Sequence, residues 1–314
     1  MSLSDRQASR KVPAGPRIAI AIDIYDWHAR DFSAALARAG AIAVPVRLAQ
    51  CGFDTRRPHG LIIPGFGRDL PDGVLVRAIG SGTFESVTLR LDVLHSLAAL
   101  GIPVLNSARC IEICVDKAAA SFLLGQKGIP APPTWTLQSA EAARQIVRRE
   151  AARGPLVLKP LFGAQGFGLK LVRHEEDLPS FEEVEGVYYL QRFVGVDNHG
   201  FRDIRVLVSR GAVIGAMIRH SKHWITNLKL GARPQWHEPD EKMCDLALRT
   251  AAAVGAEFAG VDLIYDADHT LQVLEVNSMP GWRGLQQVAP FSIAGRLATD
   301  VLNQLNWPRA RAQI

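Results

Sequence analysis

Over the first hundred residues, short apolar runs alternate with stretches of helical period. The runs RIAIAID (17–23), AIAVPVRL (41–48), GLIIPG (60–65), GVLVRAI (73–79) and PVLN (103–106) read as buried strands. Between them, ARDFSAALARAG (29–40) and ESVTLRLDVLHSLAALG (85–101) space their apolar residues as helices do, and each ends on a glycine. Strand and helix in turn predict a parallel sheet with crossover helices over residues 17–108. Residues 1–16, rich in Ser, Arg, Lys and Pro, read as a disordered tail.

The pattern then changes. Residues 111–128 read as a helix carrying Lys117, IPAPPTW (129–135) as a stiff linker, and 139–154 as a helix that starts on a serine cap. Strands follow in PLVLKPL, GLKLV, VYYLQRFV, DIRVLVS and AVIGAMI, then a helix over 240–255, a hairpin over 261–277 and a last helix over 292–305. Hairpin-joined strands mixed with helices predict an α+β half behind the α/β one.

Composition narrows the class. The chain has 314 residues, of which 48% are hydrophobic and 21% charged, so it reads as globular. Its formal net charge of +5 suits an anionic ligand, but no nucleic-acid module accompanies it, and nucleic-acid binding is not expected. Four cysteines form neither a disulfide framework nor a zinc spacing, and no apolar run reaches membrane length. A cytoplasmic protein with no membrane association is expected, its oligomeric state left open.

Chemistry enters at LQVLEVNSMPGW (271–282). Glu275 and Asn277 alternate onto one face of a strand, just before a turn. Pairing Tyr265 with Thr270 sets Asp262 opposite Val273, diagonal to Glu275 on that face. Two carboxylates and a carboxamide are oxygen donors, which Mg²⁺ or Mn²⁺ takes; the alternative is two charges at a sheet edge and a turn-starting Asn. In LVLKPLFGAQGFGLKLV (156–172), Lys159 ends an apolar strand and Gly163, Gly166 and Gly168 follow in a loop between strands. Closely spaced glycines let backbone N–H groups approach phosphate, although a flexible hairpin has the same composition. Lys117 reads as readily as a solvated helix lysine, Gln191 as a polar residue in a buried strand, and Asp203 with Arg205 as an ion pair.

The order and spacing of these signals resemble the ATP-grasp superfamily, and within it the RimK-type α-L-glutamate ligases. The stretches that carry the resemblance are VLNSARCIEICVDK, VLKPLFGAQGFG, LQRFV, DIRVLV, TNLKLGA, AGVDLI and LEVNSMPGW, over residues about 100–305. It implies an N-terminal parallel-sheet (pre-ATP-grasp) domain over 17–108, a small ATP-grasp lobe over 109–190 and a large lobe over 191–314. It implies phosphate contacts from Lys117, Lys159 and the flap glycines, an adenine hinge at Gln191, Arg192 and Phe193, a ribose contact from Asp203, and Asn227 beside the triphosphate. Asp262, Glu275 and Asn277 match metal ligands, Arg205 and Arg219 match arginines near the reacting groups, and Arg77 would hold the acceptor. The implied activity joins an amine, that of L-glutamate, to a carboxylate through an acyl phosphate. The acceptor would be a small pterin- or furan-type cofactor or a protein C-terminus. A nucleotide-binding module without ligase activity, or a ligase of another amino acid, is the competing reading. Family members often carry RSNLHRGG where this chain has ITNLKLGA; Ile225, Lys229 and Leu230 depart from that pattern and tilt the acceptor toward the small cofactor.

Overall fold

The computed structural model describes residues 15–163, 166–195 and 200–305. The tail expected over 1–16 therefore lies outside the described residues, apart from its last two positions.

The first sheet is parallel, in the order β2-β1-β5-β6, from β1 (Arg17–Ala21), β2 (Ile42–Val46), β5 (Gly73–Val76) and β6 (Val104–Leu105). A short antiparallel pair, β3 (Gly52–Phe53) and β4 (Leu61–Ile62), lies apart from it. Helix α1 (Trp27–Arg38) starts on Asp26 and α2 (Phe84–Ala99) on Thr83, each side chain accepting an N–H of the first turn. One face of the sheet buries Val93, Leu94 and Leu97 of α2. The other shares a core with α1 and with Leu207, Met217, Phe258 and Trp282 from further along the chain. That shared core holds the first sheet against the residues that follow it.

The helix expected over 111–128 is two helices, α3 (Ala108–Val115) and α4 (Lys117–Gln126). Asp116 breaks the run: its backbone is extended, and its Oδ1 accepts from the N–H groups of Ala118 and Ala119. Lys117 is thus the first residue of a capped helix, not a mid-helix side chain. Pro-rich 129–135 is also shorter as a linker than expected, because its end enters β7 (Thr134–Leu137).

The second sheet, β7-β10-β8-β9, is antiparallel and uses β8 (Leu156–Lys159), β9 (Lys170–Val172) and β10 (Tyr188–Arg192), backed by α5 (Ala140–Glu150). The third, β13-β12-β11-β14-β15, is antiparallel too: β11 (Phe201–Ser209), β12 (Ala212–Ser221), β13 (Arg233–His237), β14 (Phe258–Tyr265) and β15 (Leu271–Asn277). Strand β13 has no counterpart in the sequence reading. It contains Pro234, which an edge strand tolerates because its outer N–H groups need no partner. Helix α6 (Glu241–Ala253) and Ala120 and Leu124 of α4 cover one face of this sheet. The chain closes through α7 (Arg283–Gln286) and α8 (Ile293–Gln304), which packs on α1.

The register of the last hairpin corrects the expected one. Tyr265 pairs with Leu271 rather than Thr270, and Leu263 with Val273. The ladder then shifts by one residue at Leu274, so that Asp262 faces Glu275 directly and Gly260 faces Asn277. Had the ladder run on without this bulge, Asp262 would oppose Leu274 and the two carboxylates would lie on opposite faces.

Candidate active site

Three adjacent strands build the anionic half of the site. Asp203 and Arg205 lie two apart on β11, Arg219 pairs with Asp203 across β12, and Asp262 pairs with Arg205 across β14. Their side chains form one buried network. Arg219 donates from Nε to Asp203 Oδ1 (2.6 Å), from Nη2 to Asp203 Oδ2, and from Nη2 to Asp262 Oδ2 (2.7 Å). Arg205 donates to Asp262 through Nε (2.6 Å) and Nη2 (2.7 Å), and the Thr226 hydroxyl donates to Asp203 Oδ2 (2.7 Å). Arg219, Asp203 and Asp262 are only 4, 3 and 5% exposed. Burial alone would push the Asp262 carboxyl up; the charges of Arg205 and Arg219 outweigh it and hold the group at about 2. Arg219 is held further into its charged form by the two carboxylates, against the pull of burial. Burial pushes Asp203 up against the pull of the same arginine.

Asp203, expected at a ribose, is buried and accepts from Arg219 and Thr226, so in the bare protein it orients Arg219. Thr226, which adds a second hydrogen bond to Asp203 Oδ2, went unremarked in the sequence; a hydroxyl in a polar loop gives no periodic signal.

The cationic half is built differently. Lys159 ends β8, and Lys117 stands at the start of α4. Burial lowers the pKa of both lysines, and the charge of Glu275 draws each partly back up. Lys117 Nζ donates to the carbonyls of Gly163 (2.9 Å) and Leu161 (3.3 Å), at the root of the glycine loop. Gly166 has φ +77°, and a methyl group there would lie 2.9 Å from Ile225 and 3.3 Å from Leu230, so the loop rests on the 225–230 segment. Asn227 caps a turn in that segment by accepting from the Lys229 N–H (2.9 Å).

Glu275 sits between the halves. It is half-buried and, among the described residues, makes no hydrogen bond or ion pair. Asn277 Oδ1 accepts from the Met279 N–H (2.9 Å), which sets the following turn. Asp262 accepts three guanidinium N–H groups and keeps acceptor capacity on Oδ1. An all-oxygen set of two carboxylates and one carboxamide, with one carboxylate unpartnered, fits a hard divalent cation. Among the described residues, no group of three or more His, Cys, Asp or Glu is placed to hold a metal ion.

Near the expected adenine hinge, Gln191 is buried and donates to Thr134 Oγ1 (3.3 Å), and Phe193 meets Trp224 edge-on. The Arg192 guanidinium is committed to the Glu150 carboxylate and to the carbonyls of Glu150 (3.1 Å) and Gly154 (3.2 Å). Its side chain therefore anchors β10 to α5, and its backbone N–H donates to the Pro133 carbonyl (2.8 Å). Arg77 stacks on Trp282 (4.8 Å to the ring centroid) and donates to the Pro280 carbonyl (2.6 Å); burial pulls its guanidinium down to about 10. Asn106 adds a second tie, with four hydrogen bonds to Glu257, Phe258 and Ser278 backbone groups. Both fasten the turn after Asn277 to the first sheet.

A paired arginine–carboxylate floor, two half-buried lysines at a glycine loop and a free carboxylate between them suit a nucleotide's phosphates. Residues 114–301 match the RimK-like ATP-grasp domain. The chain belongs to this family. The tetrahydromethanopterin:alpha-L-glutamate ligase of Methanosarcina acetivorans is 32% identical over 308 residues, covering 86% of this chain and 93% of its own. The enzyme of the same name from Methanococcus maripaludis is 36% identical over 234 residues, 73% of this chain and 78% of its own. The solved structure of the ATP-grasp ligase PsnB with its minimal precursor, Mg and ADP shares the fold, with a TM-score of 0.71 at 21% identity over 92% of this chain and 98% of that one. The protein is thus an ATP-grasp ligase, an enzyme that uses ATP to form an amide bond. Among the described residues, no helix is long and apolar enough to cross a membrane.

Proposed function

We propose that the ligase joins the amine of L-glutamate to a carboxylate on a small, pterin-type acceptor. The observation that carries this reading is the confluence of Lys117, Lys159, Glu275 and the Arg205–Asp262–Arg219 network on one cleft. Names of similar enzymes supply the acceptor class and the amino acid.

The reaction has two steps. An acceptor carboxylate oxygen attacks the γ-phosphorus, the bond to the bridging oxygen breaks, and ADP leaves. The glutamate amine, having lost a proton, then attacks the acyl carbon; the C–O bond breaks, phosphate departs and an amide remains. No side chain serves as a covalent nucleophile. Lys117 and Lys159 take the phosphate oxygens, which restores the counter-charge that burial withholds from them. Arg205 and Arg219 are held by Asp262 and Asp203 with their Nη1 groups uncommitted among the described residues, ready for oxygens on which charge develops. The glycine loop with Asn227 covers the phosphates and keeps water from the acyl phosphate. Asp262, Glu275 and Asn277 would hold Mg²⁺, which when bound neutralises phosphate charge.

The test is to incubate the enzyme with ATP, Mg²⁺, L-glutamate and tetrahydromethanopterin. ADP release that depends on both glutamate and the pterin, with the pterin gaining one glutamyl unit in mass, is the expected result. ATP binding with no ADP release for any amino acid would favour a nucleotide-binding module instead.

A further inference from the structure

The carboxyl ends of β1 and β5 form a crevice. From β1 the chain continues to β2 on one side, and from β5 to β6 on the other, so the connections part between these two strands. Open parallel sheets receive ligands where the connections part in this way. The walls are segments 22–26 and 77–83. They leave the sheet side by side, since the N–H groups of Arg77 (2.8 Å) and Ala78 (3.1 Å) both donate to the Ala21 carbonyl. Arg90 braces the second wall by donating to the carbonyls of Ile79 (2.9 Å) and Ser81 (3.1 Å).

Asp23 stands across this crevice. A methyl group on Gly80 would lie 2.9 Å from Asp23 Oδ1 and 2.6 Å from Arg90 Nη1, so the carboxylate reaches the opposite wall. Among the described residues, Asp23 has no hydrogen bond or ion pair. The two walls also carry large apolar side chains in solvent: Ile24 is 76% exposed and Tyr25 43%, and Phe84, directly after the second wall, is 84% exposed. Such surface beside an unpartnered carboxylate suits a ligand with an apolar face and a hydrogen-bonding edge.

The second wall also packs toward the reacting end. Arg77 at its start donates to the Pro280 carbonyl, and a methyl group on Gly260 would lie 2.9 Å from Pro280 Cβ and 3.7 Å from Arg205 Nε.

We infer that Asp23 is a specificity-determining residue for the acceptor, taking the amino-pyrimidine edge of a fused nitrogen heterocycle whose faces lie on Ile24, Tyr25 and Phe84. That edge presents an exocyclic N–H and a ring N–H in parallel, and a carboxylate offers two acceptors at matching spacing. A peptide C-terminus presents no such pair on a flat apolar body. The inference rests on the reading of the acceptor as a small molecule.

The experiment measures binding of a tail-less reduced pterin, 6-methyltetrahydropterin, to the full chain without nucleotide, by calorimetry, alongside ATP binding. Wild type should bind it, Asp23→Asn should bind it at least about tenfold more weakly, and ATP affinity should be unchanged in both. Phe84→Ala, a surface change, should also weaken pterin binding and stands in if Asp23→Asn fails to fold. No pterin binding by wild type, equal binding by Asp23→Asn, or stronger binding of a short acidic peptide than of the pterin would overturn the inference. Pterin binding that needs Asp23, with no glutamyl transfer to any pterin carboxylate, would instead overturn the proposed reaction and leave this site standing.

Discussion

The two halves of the cleft solve opposite electrostatic problems. On β11, β12 and β14, buried charges of both signs satisfy one another through short, paired hydrogen bonds. At the glycine loop, two half-buried lysines share one nearby carboxylate, Lys117 also donates to two carbonyls, and burial lowers the pKa of both. The first half is complete in the bare protein and holds its arginines in place before any substrate arrives. The second is short of negative charge, and a triphosphate supplies it. Preorganisation and ligand demand are thus divided between two sheets.

The sharpest way to break this contrast is Arg219→Met. It leaves Asp203 and part of Asp262 buried without their cation, a loss of about 3–5 kcal/mol of stability for a pair broken on one side. Thermal or urea unfolding should show that loss together with loss of turnover. An unfolding midpoint equal to wild type would mean the network is not the structural floor described. Lys159→Met is the counter-experiment. Removing an ammonium that burial disfavours should cost no stability, while ATP affinity falls ~10- to 100-fold with the loss of a charge-assisted contact. If Lys159→Met unfolds as readily as Arg219→Met, the two halves do not differ.

Much of this division was legible in the sequence, for reasons that can be stated. Lys159, Glu275 and Asn277 are polar residues at the ends of apolar strands, where a period-two pattern makes them conspicuous. The shared face of Asp262 and Glu275 was expected from a register with Asp262 opposite Val273 and diagonal to Glu275; their direct opposition depends instead on the one-residue bulge at Leu274, and no local residue type announces a bulge. Asp203 was visible, but its partner Arg219 lies sixteen positions away on the next strand, and only register brings them together. The α3–α4 break was hidden because Asp116 sits in a continuous helical period, and a cap inside such a run looks like any exposed residue. Asn106 carried the same signal as Asn277, a carboxamide at the end of an apolar run, but its partners lie over 150 residues away.

The pH response sharpens the comparison further, because the halves should titrate at opposite ends of the scale. Asp262 is held at about 2 against an ordinary 3.8. Its contribution to stability is fully present above the unfolded value and is lost as pH falls through the folded one. The lysines run the other way. A folded pKa below the ordinary 10.5 means that charging them costs stability at low and neutral pH, and this cost is relieved as pH rises through the folded value toward 10.5. ATP needs the charged form, so KM for ATP should climb with pH at values below 10.5. In Lys159→Met that climb should shrink. A KM flat up to pH 10.5 in wild type would place the lysines outside the phosphate site.

The smallest effect probes how completely the anionic half is satisfied. Thr226→Val keeps shape and removes one hydroxyl from Asp203, which retains both bonds to Arg219. The net value of such a hydrogen bond is about 1 kcal/mol, with more at stake when the acceptor is charged and buried. Thr226 also sits in the segment on which the glycine loop rests, one residue before Asn227. If the hydroxyl only satisfies Asp203, the variant should lose stability by that amount and leave KM for ATP alone. If it also fixes the 225–230 segment beneath the loop, KM for ATP should rise with it, and the two halves would be coupled through one threonine.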